Sequence, residues 1–339
     1  MEKIRLSNET AEDQAVLEQA KENQESWERV SQLQKESLFI RSNADHWNTT
    51  IEREGQKFSI ELITDPKSPD ISQVQELFES VFGSEEVDPE EILRQGIEGI
   101  TSSGEPDEVL YKIFTVKNST GKVVSVVSGG VLNLRDKKDT ISDRNVLMIA
   151  YAVTDPSTRM SGLAREAYIS SLMEASVQSE MGGQKLDKAA GECTYTSEKF
   201  WNRVGWKRTY QEETDGTFRE MAYIQPALDF NEDTGLPVEE NSEAPEHLMI
   251  DGFKSEVTSK DAVAIVQAFY RWCNRWPKDA FKSDEAYRAH IEYIDAFFEE
   301  FRSQIDQEKP LISLTKEERD RKIASGVKFL EYSEADNKE

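Results

Sequence analysis

Arg159, Gly162 and Ala164 fall within TRMSGLA, a spacing of residue types that can hold an anion. They directly follow NVLMIAYAV, the most apolar strand candidate of the chain, and open the helix-like run LAREAYISSL. The first N–H groups of a helix have no partner inside it and point outward along the positive end of the helix dipole. The amides from Met160 through Ser161, Gly162 and Leu163 to Ala164 would therefore face a phosphate placed ahead of that helix. Gly162 lets an anion come close to the backbone, Ala164 is small enough to do the same, and Arg159 adds a cationic donor. The stretch is not a P-loop, which needs Gly-Lys-Ser/Thr, nor a dinucleotide fingerprint, which needs Gly-x-Gly-x-x-Gly. Average residue usage would produce ~0.3 matches to so short a pattern in a chain of this length, so its place between strand and helix carries its meaning.

Other chemistry is sparse. His46, His247 and His290 are far apart, and Cys193 and Cys273 are the only cysteines. Neither a metal site, nor a disulfide framework, nor a nucleophile paired with His is expected. The chain of 339 residues carries 66 Asp plus Glu against 41 Lys plus Arg, a formal charge of -25. No basic cluster could follow a phosphate backbone or an anionic bilayer, so neither nucleic acid nor a membrane is expected as a partner. A cationic or amine-bearing ligand suits this field, although acidity also serves solubility. The start, MEKIRLSNETAEDQ, is charged, and no apolar run approaches the ~20 residues of a membrane span, so a cytoplasmic protein is expected.

The elements that would position the loop read as follows. Residues 9–50 are Gln/Glu-rich, with Val16, Ala20, Trp27, Val30, Leu33 and Leu38 compatible with one or two docking helices. KFSIELI is strand-like, ISQVQELFESVFG and DPEEILRQGI are helix-like, and VLYKIFTV with KVVSVVSGGVLNL flanks Asn118-Ser-Thr-Gly121 as a hairpin. After the loop come a helix over 162–180 closed by Gly182-Gly183, a weak strand near 186–194, and a short helix, SEKFWNRVGW. RTYQEET and TFREMAYI form a second hairpin around Asp215-Gly216. From Asp229 to Asp251 there are eight carboxylates and no Lys or Arg, the composition of a solvated linker. Beyond it, Ser259 and Ser283 open two helices with aromatic stripes, and Thr315-Lys-Glu-Glu318 is a capping box for a third. The stripes could line a ligand groove, but helix packing explains their spacing as well.

In this order of elements the sequence resembles the GNAT superfamily of acyl-CoA-dependent N-acyltransferases. The resemblance covers about residues 57–228 and is carried by VFGSEEVDPEEIL, by AVTDPSTRMSGLA as a pyrophosphate loop, and by SEKFWNRVGWKR, similar to the family's A-x-x-L-Y-x-K-x-G-F helix. It implies an α/β (α+β) fold, a GNAT-like mixed central sheet flanked by helices. Helical additions are expected at both ends: an extension over 1–56, the acyltransferase domain over 57–228, an acidic linker over 229–251 and a helical region over 252–339.

The resemblance further implies a V-shaped splay between the strand ending near Val153 and that near Cys193, holding acetyl-CoA or another acyl-CoA as acyl donor, with no metal. Ala152 and Val153 would pair with the pantetheine, residues 159–164 would hold the pyrophosphate, and Arg165 would add charge beside it. An amine would attack the thioester directly, with a backbone N–H of the splayed strand stabilising the oxyanion. The family's leaving-group Tyr aligns with Trp201, its preceding Asn with Thr194 and its Ala with Ser197, so the usual acid is missing. Tyr195 or Tyr151 would stand in, and Glu192 is the candidate base. The acceptor would be an amine-bearing small molecule or a protein amine. The alternative is a catalytically degenerate relative that binds acyl-CoA or a protein. The added helices would either cover the acceptor side of the splay or form a homo-oligomer interface.

Overall fold

The computed structural model describes residues 49–53, 55–83, 87–99, 109, 111–135, 141–159, 162–193, 197–227, 229–238, 244–251, 256–273 and 275–330. Of the helical extension expected over 1–56, residues 1–48 lie outside this set, and 49–53 form a strand rather than helix because they pair with β2. Along the chain run β1 (Thr49–Arg53), β2 (Gln56–Ile63), α1 (Asp70–Phe82), α2 (Glu90–Glu98), β3 (Tyr111–Asn118), β4 (Val123–Arg135) and β5 (Ile141–Thr154). There follow α3 (Leu163–Met181), β6 (Lys185–Cys193), α4 (Glu198–Arg203), β7 (Lys207–Glu212), β8 (Phe218–Glu220), β9 (Ala222–Gln225) and β10 (Ala244–Asp251). The last elements are α5 (Ser259–Cys273), α6 (Asp284–Gln304), β11 (Leu311–Leu314), α7 (Lys316–Ala324) and β12 (Phe329–Leu330).

These strands make one mixed sheet in the order β1-β2-β3-β4-β5-β6-β10-β7-β8-β12, with β11 also on β7 and β9 also on β10. β5 and β6 run parallel, joined by α3 as the crossover, as do β8 and β12; every other pairing is antiparallel. Strands β3 to β5 are apolar on both faces because both faces are covered. Phe114, Val116, Val127, Leu147 and Ile149 meet Leu163, Ala167 and Leu172 of α3 on one side. On the other side, Ile113, Val126 and Val153 meet Ile71, Val74 and Phe78 of α1 with Leu93 of α2. Further along that second side, Val146, Met148, Leu248 and Ile250 meet Ala262, Ile265, Val266 and Phe269 of α5.

The expected strands, helices and hairpins between residues 57 and 220 are present, and Asn118 closes the first hairpin by accepting from the N–H groups of Thr120 and Lys122 at 3.0 Å each. The reading of 229–251 as solvated linker needs correction over its last third: Ala244–Asp251 is β10, inserted between β6 and β7. Its Leu248, Met249 and Ile250 are buried despite the carboxylates around them. The aromatic stripes after Ser259 and Ser283 serve packing: Phe269, Tyr270, Ile294 and Phe301 are buried in the core shared with the sheet. Ser283 caps α6 through the N–H of Ala286, and both arms of the Thr315/Glu318 capping box are formed.

Candidate functional site

β5 and β6 run side by side from Arg144/Lys185 to Ile149/Gly191 and then part. Beyond that point β5 stays paired with β4 on its other edge, from Tyr151/Ser128 to Thr154/Ser125, while β6 stays paired with β10, where Glu192 faces Leu248. A wedge opens between them, and a bulge marks its apex. Tyr151 pairs with Ser128 and Ile149 with Gly129, leaving Ala150 as the extra residue, exposed and without a place in the ladder. The bulge requires glycine opposite: a Cβ on Gly129 would lie 1.9 Å from the carbonyl oxygen of Met148.

Register decides which backbone groups line the wedge. The Asp155 N–H donates to the Val124 carbonyl at 2.8 Å, which makes 124/155 a hydrogen-bonded pair and, by alternation, 126/153 and 128/151 as well. Val153 thus spends its backbone groups on β4, and its carbonyl also accepts from Ser125 Oγ at 2.9 Å. The N–H and C=O of Ala152 and Thr154 face the open side. Of the two residues expected to pair with an extended ligand, Ala152 is oriented for it and Val153 is not.

The loop after β5 is braced by Asp155, which caps the 3-10 turn Pro156–Thr158 through the Ser157 N–H and pairs with Lys122 at 2.9 Å. These bonds hold its carboxyl well below the usual range. Arg159 is exposed, and Met160 and Ser161 lie outside the described residues. Gly162 sits at the N-cap of α3 with φ 77°, a left-handed conformation open to glycine, with no atom within 4 Å of where a Cβ would stand. No side-chain cap is formed by the N-cap residue among the described residues, and the first turn holds buried Leu163 and half-buried Ala164 and Arg165. Glu166 would repel an anion there, but Arg53 pairs with it at 2.6 Å. The result is a 19-residue helix that begins at a glycine N-cap, eight residues after the end of β5.

Glu192 is the first residue of β6 past the end of the β5 pairing, and it is half-buried. Burial pushes its carboxyl up from 4.5 to about 7, with a hydrogen bond from the Tyr223 hydroxyl pulling the other way. Tyr223 is fully buried, stacks on Tyr270 with centroids 5.2 Å apart, and Tyr270 in turn donates to the Ile224 carbonyl at 2.8 Å. Tyr223, itself held by Tyr270, thus bonds this carboxyl from beyond residue 220. Tyr151 is committed elsewhere: its ring stacks on Phe78 at 4.6 Å, its hydroxyl accepts from the Asp88 N–H at 3.2 Å and donates to Asp88 Oδ2 at 3.3 Å. Burial and the Asp88 charge raise its pKa, which disfavours the phenolate, and burial raises that of Asp88 too. Tyr195, the other candidate acid, lies outside the described residues.

Trp201 is 5% exposed and stacks on Trp206 at 4.2 Å, with Tyr168 edge-on at 6.3 Å. The position where a Tyr was expected is thus core. Its helix α4 is anchored by a buried ionic cluster that sequence reasoning missed, because Arg and Glu in helix and strand patterns read as surface. Glu198 of α4 accepts from Arg208 of β7 at 2.6 Å and from Arg319 of α7 at 2.9 and 3.3 Å. Arg208 also reaches Glu220 at 3.4 Å, and His247 Nδ1 lies 2.8 Å from the same Glu220 oxygen. Cys193, at the end of β6, is buried with its thiol pushed up to about 12, far from thiolate chemistry.

No helix among the described residues is long and apolar enough to cross a membrane. No family model matches the chain, and the search of curated proteins returned no match. Among solved structures the chain is similar to the glucosamine N-acetyltransferase region of a fungal multi-domain beta-N-acetylglucosaminidase, at 13% identity and TM-score 0.31, over 52% of this chain and 19% of that one. It is similar to a Trypanosoma brucei acetyltransferase at 17% identity and TM-score 0.30, over 44% of this chain and 91% of that one. The glucosamine-6-phosphate N-acetyltransferase of Arabidopsis thaliana gives 20% identity and TM-score 0.30, over 44% and 90%. The strand order, the crossover helix α3 and the bulged parting of β5 from β6 make a mixed α/β sheet flanked by helices, as the resemblance implies.

Proposed function

We propose that the protein is an acyl-CoA-dependent N-acyltransferase that moves an acetyl group from acetyl-CoA to a primary amine. The observation that supports this most is the wedge itself, with an ionisable carboxyl at its apex and, after β5, a helix that begins at a glycine N-cap. The pantetheine pairs with Ala152 and Thr154, and the pyrophosphate rests on residues 159 to 164, with Arg159 and Arg165 as flanking cations. The thioester carbonyl sits at the bulge, where the N–H of Ala150 is the donor for the oxyanion. The amine nitrogen attacks the carbonyl carbon, the C–S bond breaks, CoA leaves as thiolate, and the proton lost by the amine passes to Glu192 and then to solvent. A thiolate leaves without a strong acid behind it, so Trp201 in place of Tyr does not block the reaction. The amine is carried by a small molecule or a protein, and its positive charge before deprotonation fits the net charge of -25.

Release of free thiol from acetyl-CoA in the presence of an amine panel tests the transfer, and calorimetric titration with CoA tests the site. Gly162→Glu is expected to weaken CoA binding more than tenfold, since it adds a carboxylate where the phosphates would lie. Gly162→Ala shares the left-handed strain, about 1–2 kcal/mol, but not the charge, and separates the two effects. Equal CoA affinity in Gly162→Glu and Gly162→Ala would remove the loop from the site. The burial of Trp201 favours a second reading, an acyl-CoA-binding module without turnover, and CoA binding with no thiol release from any amine would select it.

A further inference from the structure

The sheet register places one C-terminal side chain next to the wedge. Gly130 pairs with Met148, and Met148 with Ala190. A Cβ on Gly130 would meet the Trp272 ring at 3.3 Å, so the indole of α5 lies over this row, on the face away from α3. Two residues further along the same face come Ser128 on β4 and Glu192 on β6, with Tyr151 opposite Ser128. At about 3.3 Å per residue this second row is ~7 Å from the first. Tyr111 ties the two together: its ring is 6.1 Å from that of Trp272 and its hydroxyl is 2.8 Å from Ser128 Oγ. Trp272, Tyr151 and Glu192 are each half-buried, and Ala150 between them is exposed.

We propose that Trp272 determines acceptor specificity, and that the acceptor is an amine with an aromatic or alkyl body. The proposal rests on the acyltransferase reading for the meaning of "acceptor", but the wall is a feature of the fold alone. Trp272 presents planar apolar surface, Tyr151 adds the part of its ring that Phe78 and Phe82 leave uncovered, and Glu192 is the polar group on the same sheet face. An aryl-alkyl amine buries its body on the two rings and sets its nitrogen at Glu192, and its cationic form gains from the indole face. An amino sugar would bring several hydroxyls against those rings and lose their hydration without replacement. Trp272 lies on α5, outside the strand and helix series that holds CoA, so acceptor choice and donor binding reside in different parts of the chain.

Calorimetric titration of the full chain with phenethylamine and with glucosamine, each with and without saturating CoA, tests this. Phenethylamine is expected to bind at least about tenfold more tightly than glucosamine; Trp272→Ala should lose about that factor and Trp272→Phe should keep most of it. CoA affinity measured alone serves as the control for an intact fold, together with thermal melting. If Trp272→Ala does not fold, Trp272→Leu, which keeps apolar volume but no ring, takes its place. Equal phenethylamine affinity in a folded ringless variant, glucosamine binding as tightly as phenethylamine, or no phenethylamine binding would each overturn the proposal. Amine binding retained without any CoA binding would instead sink the transferase reading and leave the wall standing.

Discussion

Glu192→Gln is expected to lower kcat/KM for acyl transfer by about 10²–10⁴-fold, the range of a general base, while leaving CoA affinity near that of the unaltered protein. The pH dependence makes the role specific. With its carboxyl at about 7, Glu192 is protonated and inactive below that pH and becomes a base above it, so wild-type kcat/KM rises through about pH 7. That inflection should vanish in Glu192→Gln, leaving only the ionisation of the amine itself. An unchanged inflection in the variant would assign the base elsewhere. Stability gives an independent reading with a definite sign. The folded value of about 7 lies above the ordinary 4.5, so this group's contribution is fully present below 4.5 and is lost as pH rises through 7. Glu192→Gln should therefore melt higher relative to wild type at pH 8 than at pH 5. Tyr223→Phe, by removing the hydrogen bond that favours the carboxylate, would move both curves toward higher pH.

The second large effect concerns the cluster under α4. Arg319→Ala removes the two-pronged partner of Glu198 from α7 but leaves this carboxylate, 1% exposed, paired with Arg208 at 2.6 Å, so the expected loss lies between that of a surface pair and the about 3–5 kcal/mol of a buried charge left unpaired. Arg302→Ala, which removes an exposed pair with Glu299 at 2.7 Å, is the matched control and should cost about 0–1 kcal/mol. Urea unfolding of both variants measures the difference. A loss below 1 kcal/mol for Arg319→Ala would mean that water reaches Glu198 and that the cluster does not hold α7 to α4.

Much of this arrangement is legible in the sequence. Period-two and period-3.6 patterns mark the strands and helices from KFSIELI to the second hairpin, and the loop is marked by its place between the long strand and a helix. Ser283 and Thr315 were readable as caps because capping depends on neighbours within three residues. What escaped depends on distant partners. In APEHLMID only three consecutive apolar residues signal β10, and the carboxylates before it hide them. The raised carboxyl of Glu192 comes from burial, with Tyr223, 31 residues later in the chain, supplying a hydrogen bond that pulls the other way. The alignment of Trp201 with an expected Tyr was visible, but only its stacking on Trp206 shows that the position belongs to the core.

The insertion of β10 between β6 and β7 has a consequence for biosynthesis. When the ribosome has released residues up to 243, the strand that carries Glu192 and the strand that carries Arg208 are both made, yet their facing edges have nothing between them. Unpaired edges of apolar strands recruit other strands, including those of neighbouring nascent chains. The six carboxylates from Asp229 to Glu243 put like charge next to those edges before Leu248, Met249 and Ile250 close the sheet, and like charge opposes the pairing of one such edge with another.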